Sequence, residues 1–106
     1  MFVRFYRPNP VFTPEYSALR DAVIEARRAA GLSQRDLAAR IGRAASHISV
    51  IERGQRRIDS LELFFIAEAC GVDAVELYAR ACERVRAVRA AETIDGAAPS
   101  PGAATS

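Results

Sequence analysis

The stretch Ser33-Gln-Arg-Asp-Leu-Ala-Ala-Arg-Ile-Gly42, followed at once by Arg43-Ala-Ala-Ser-His-Ile-Ser-Val-Ile-Glu-Arg-Gly54, decides how this chain folds. Ser33 and Asp36 stand at the spacing of a capping box, so a short helix opens there, runs through Ile41 and stops at Gly42. A second helix begins near Ala45, runs to Glu52 and stops at Gly54. Counted from Gln34, Ala38 is fifth, Gly42 ninth, Ile48 fifteenth and Ile51 eighteenth. Each type has a steric reason. Two helices that cross closely need a small residue at the crossing, which Ala38 supplies, and a tight turn needs a residue tolerant of positive φ, which Gly42 supplies. Leu37, Ile41, Ile48 and Ile51 fill the wedge between this pair and the rest of the core.

Outward from this pair, the punctuation predicts three further helices. Thr13 and Pro14 form a cap followed by a first-turn proline, and Leu19, Val23, Ala26 and Ala30 recur at helical spacing up to Gly31. Asp59-Ser-Leu-Glu62 is a second capping box, opening a fourth helix that ends at Cys70 before Gly71. A fifth runs from about Ala74 to Ala91. Residues 2–6 are β-prone and Pro8 and Pro10 interrupt the chain after them, so residues 1–12 are expected to form an extended aromatic arm. Residues 13–92 are expected to form the helical domain. The Ala/Pro/Gly/Ser/Thr-rich residues 93–106 lack bulky side chains and are expected to be a disordered tail. The fold class is all-α.

At 106 residues, half of them apolar and 26% charged, the composition is that of one globular domain. No apolar run approaches a membrane span or a signal core, so a cytoplasmic protein is expected, nucleoid-associated when bound to DNA. Cys70 and Cys82 have no zinc spacing and fall on apolar helix faces, which predicts core thiols. His47, the single histidine, has no partners for a metal site. No nucleophile–base set, paired carboxylates or phosphate-binding glycine loop is visible, so neither catalysis nor a cofactor is expected. The net charge of +2 hides an asymmetry. Residues 27–57 carry eight arginines against Asp36 and Glu52, while residues 58–106 are net acidic. A polyanion would find that basic middle third.

The run Gly31-Leu-Ser-Gln-Arg-Asp-Leu-Ala, then Ile41-Gly, then Ile48-Ser-Val-Ile-Glu-Arg-Gly54, resembles the phage-repressor and Cro-type (XRE-like) helix-turn-helix family over about Leu19 to Leu77. The resemblance implies a five-helix DNA-binding domain, dimeric, with its third helix in the major groove. It further implies a role for each matching residue. Gln34 would contact phosphate and buttress the recognition helix. Ala45, Ser46, Ser49 and Val50 would face base edges, and His47 would reach a base or a phosphate. Arg43, Arg53, Gln55, Arg56 and Arg57 would meet DNA around that helix, the last four gripping the backbone. Arg27 and Glu52 sit where some members bury an ion pair. Two departures stand out. Ala44 replaces the usual Ser, Thr or Pro, leaving the third helix without a side-chain cap, and the base-facing residues are short or apolar, with no Arg, Gln or Asn for bidentate readout. Specificity then leans on DNA shape.

The functional expectation is a sequence-specific transcriptional regulator, a repressor binding a roughly palindromic operator on double-stranded DNA as a homodimer or a heterodimer with a related regulator. Val75, Tyr78, Cys82 and Val85 form one apolar stripe on the fifth helix, beside a second of Leu77, Ala81 and Val88. That width predicts dimerisation there. Five of the eight aromatics lie in residues 2–16, either as a lid over the core or as a protein-partner surface. The alternative of a different class is an antitoxin or adaptor using that arm or the last helix.

Overall fold

The computed structural model describes residues 13–96, which form five helices and no strand. The expected arm at residues 1–12 and the part of the expected tail beyond residue 96 lie outside the described residues. α1 spans Pro14–Ala29, α2 Gln34–Arg40, α3 Ala45–Glu52, α4 Ser60–Ala69 and α5 Ala74–Gly96. Local chemistry sets the starts. Thr13 Oγ1 accepts the Tyr16 N–H, and Ser33 with Asp36 and Asp59 with Glu62 close reciprocal capping boxes. Gly42 has φ +72° with open space where a side chain would begin, so its conformation, not crowding, calls for glycine between α2 and α3.

One detail departs from the sequence reading. α5 continues past Ala91 to Gly96, because Ala90, Ala91 and Glu92 are strong helix formers and no proline arrives before Pro99. Tyr16, counted among the N-terminal aromatics, lies on α1, as the Pro14 start predicts.

The core has two adjoining parts. Val23, Leu32, Leu37, Ala38, Ile48, Ile66 and Cys70 pack α1 to α4 together around the tight turn. Ala22, Ala26, Ala67, Leu77 and Ala81 form the other part, where small residues let α1, α4 and α5 approach closely. Leu77 and Ala81 are thus consumed within the domain, whereas Val75 and Tyr78 face solvent and Cys82, Val85 and Val88 are half-buried. α4 carries large apolar residues on every side, with Glu62 and Glu68 between them, so it also exposes Leu61, Phe64 and Phe65, the two rings meeting edge-on at 5.7 Å. Among the described residues no helix is long and apolar enough to cross a membrane.

Candidate nucleic-acid interface

α3 has one side in the core and the other among exposed arginines. Ile48 and Ile51 are each 1% exposed and fix one side of the helix inside. The rest of it is left to Ser46, which is exposed, and to Ala45, Ser49 and Val50, which are half-buried. Arg43 before the helix and Arg53, Gln55 and Arg57 after it are exposed. Arg53 closes over the helix end, donating to Ser49 Oγ at 2.7 Å and to Gln55 Oε1 at 3.3 Å. The Ser49 hydroxyl and the guanidinium therefore present themselves as one unit.

The C-terminal end of α3 is clamped from two helices. Arg27 on α1 donates from Nε to Glu52 Oε2 at 2.5 Å and from Nη2 to Oε1 at 2.9 Å, a fork matched to a carboxylate. Gln34, first residue of α2, adds Nε2 to Glu52 Oε1 at 2.8 Å, and the remaining Arg27 nitrogen reaches the Leu32 carbonyl at 2.8 Å. Both charged side chains are over nine-tenths withdrawn from solvent. A carboxylate at a helix C-terminus opposes the helix dipole, and Arg27 offsets that.

The N-terminal end of α3 is held differently. Ala44 takes the cap position and makes no side-chain hydrogen bond. His47 turns inward, its Nε2 3.0 Å from Glu62 Oε2 on α4. Arg56 donates to both Glu62 oxygens, at 3.0 and 2.5 Å, and the Asp59 N–H adds a fourth bond at 3.2 Å. The Arg56 guanidinium above all holds the Glu62 carboxyl down to about 2, against the opposing effect of burial. At neutral pH this carboxylate only accepts, so the His47 nitrogen facing it carries a proton. Sequence reading expected His47 on a base or a phosphate and Arg56 on the DNA backbone; in the structure both side chains turn to Glu62 on α4, with the Arg56 side chain still 41% exposed. Both orientations follow from a buried carboxylate that needs donors.

Sequence reading missed Glu62 and Tyr16 as parts of this region. Glu62 was legible as a capping-box residue, but not its bonds to residues six and fifteen positions away. The Tyr16 hydroxyl accepts the Ile58 N–H at 2.8 Å, tying α1 to the loop after α3, and burial raises its pKa.

The profile of the Helix-turn-helix family matches residues 23–77, more than half of the chain. The chain belongs to this family, in its Cro/C1-type or XRE branch of transcriptional regulators, which are DNA-binding proteins and not enzymes. An HTH-type transcriptional regulator of Sinorhizobium fredii, y4dJ, is 41% identical over 51 residues, 48% of this chain. The chain spans 66% of that relative's length. An XRE-family like protein from Pseudomonas syringae pv. tomato superposes with a TM-score of 0.61 at 39% identity, covering 65% of this chain and 84% of that one. The clp gene regulator ClgR from Corynebacterium glutamicum gives a TM-score of 0.64 at 26% identity, covering 74% and 82%.

Proposed function

We propose that this chain is a sequence-specific DNA-binding repressor that acts from the cytoplasm on a roughly palindromic operator, with α3 in the major groove. The observation that carries this is the outer face of α3, short side chains bracketed by exposed Arg43, Arg53 and Arg57 and anchored at both helix ends. Ala45 and Val50 suit thymine methyl groups, and Ser46 and Ser49 make single hydrogen bonds to base edges. Arg43, Arg53, Gln55 and Arg57 take phosphates, while Gln34 keeps one amide hydrogen for a phosphate beyond its bond to Glu52. Selection of duplexes from a randomised library, followed by binding across a salt series, tests this. A recovered motif with a steep salt dependence supports it, and the absence of any enriched sequence overturns it.

The repressor binds as a dimer through α5, with Val75 and Tyr78 at the centre of the contact and Cys82 and Val85 beside them. Val75 at 76% and Tyr78 at 54% exposure support that face over the inward one of Leu77 and Ala81. Two recognition helices would then meet half-sites about 34 Å apart. Light scattering of the wild type, Tyr78→Glu and Phe64→Glu checks it. Loss of the dimer in Tyr78→Glu alone is expected, and loss in Phe64→Glu alone moves the interface to α4.

A further inference from the structure

We propose that Glu62 is a positioning residue for DNA recognition, holding the first turn of α3 in place through His47 while keeping Arg56 off the phosphates. This rests on the DNA-binding reading above. The two ends of α3 are unlike in origin. Its last residue, Glu52, is itself gripped by Arg27 and Gln34. Its first turn has no such residue, and Ala44 offers no cap where Thr13, Ser33 and Asp59 cap α1, α2 and α4. Ile48 packs that turn into the core, and the polar contact that fastens it to another helix is His47 to Glu62 at 3.0 Å.

Glu62 can do this because it is built as a hub. The residue is 8% exposed, and its two oxygens accept four N–H groups, from His47 on α3, from Arg56 twice, and from the Asp59 backbone. Four donors on two carboxylate oxygens saturate the group. One carboxylate thus sets the tilt of the base-facing helix, the path of the loop that follows it, and the start of α4. Both terminal nitrogens of Arg56 donate there, which draws the guanidinium away from the phosphate contacts that its position promises. Glu62 thereby lowers sequence-independent attraction and raises discrimination.

The test uses the full chain with Glu62→Gln, His47→Ala and the pair Glu62→Gln with Arg56→Ala. Glu62→Gln keeps side-chain size, and thermal unfolding establishes that each variant is folded. In free protein, amide hydrogen exchange of Ser49 and Val50 is expected to quicken in Glu62→Gln and in His47→Ala, with α2 amides unchanged. That readout needs no DNA. With DNA, the ratio of operator to random-duplex affinity is expected to fall by roughly tenfold in both. The salt slope on random duplex is expected to steepen by about 0.9 in Glu62→Gln only, and to return when Arg56→Ala is added. Three results overturn the proposal: unchanged α3 exchange, a His47→Ala change confined to one base of the motif, or a steepened slope that survives Arg56→Ala. The last would mean simple removal of a negative charge. A wild type that binds no duplex overturns the DNA reading itself, whatever the exchange data show.

Discussion

The strongest perturbation available is Arg27→Met. It removes the Nε and Nη2 bonds to Glu52 and leaves that carboxylate, 7% exposed at its side chain, with the Gln34 amide alone. A buried charge deprived of its partner costs about 3–5 kcal/mol, and here the dipole of α3 adds to the penalty. Methionine fills much of the volume of the arginine stem, so the loss is electrostatic rather than a cavity. Glu52→Leu should cost about as much, since the guanidinium then keeps only the Leu32 carbonyl. The double substitution leaves no orphaned charge. Its cost falls to the Gln34 amide and Leu32 carbonyl that lose partners, about 1–2 kcal/mol. The pair should therefore be more stable than either single variant.

Thermal and urea unfolding followed by circular dichroism give all four corners of the cycle. For a domain of this size each kcal/mol moves Tm by about 4–8 °C, so Arg27→Met should melt at least about 12 °C below wild type. A double variant whose loss equals the sum of the singles would refute the reasoning. It would mean that the two charges are each solvated and do not depend on one another.

Three smaller tests use the same unfolding assay. Ala44→Ser adds the missing cap at a residue whose backbone is already extended, and should stabilise the free protein by about 0.5–1 kcal/mol. Ala38→Val, at a site 1% exposed between α2 and α3, should destabilise by about 1–3 kcal/mol through overpacking. Glu62 has its folded pKa depressed from 4.5 to about 2, so its contribution is full above pH 4.5 and disappears as pH falls through about 2. Wild type should accordingly lose about 2 kcal/mol more than Glu62→Gln between pH 6 and pH 3, measured by urea unfolding.

What the sequence makes legible is what short-range chemistry decides. Ala38, Gly42, Ile48 and Ile51 announce the helix pair because each answers a local steric demand, and capping boxes span only three residues. The Arg27–Glu52 pair joins positions 25 apart in the chain, so no spacing rule reaches it and only family resemblance singled it out. Glu62 shows the same limit from inside a correctly read motif. Tyr16 lies on the helix that Pro14 announces, but its bond to the Ile58 N–H joins positions 42 apart, beyond any local rule. The exposure of Leu61, Phe64 and Phe65 was illegible for another reason. A helix with large apolar residues on every side carries no single stripe to say which side turns outward.

Under the proposed DNA reading, these long-range contacts are what would let so plain a set of base-facing residues discriminate. A long reader such as arginine bends to keep a bidentate bond when its helix shifts. Ala45, Ser46, Ser49 and Val50 have no such reach, and contacts made by a methyl group or a hydroxyl vanish with a displacement of about 1 Å. Readout by short side chains therefore transfers the demand for accuracy to the backbone of α3. Two carboxylates would meet that demand: Glu52 ties the end of the helix to α1 and α2, and Glu62 ties its first turn to α4. In the proposed arrangement neither would touch a base edge, and neither would be found by asking which residues do. Weakening either should blur the whole motif at once, whereas Ser46→Ala should alter preference at one position of each half-site.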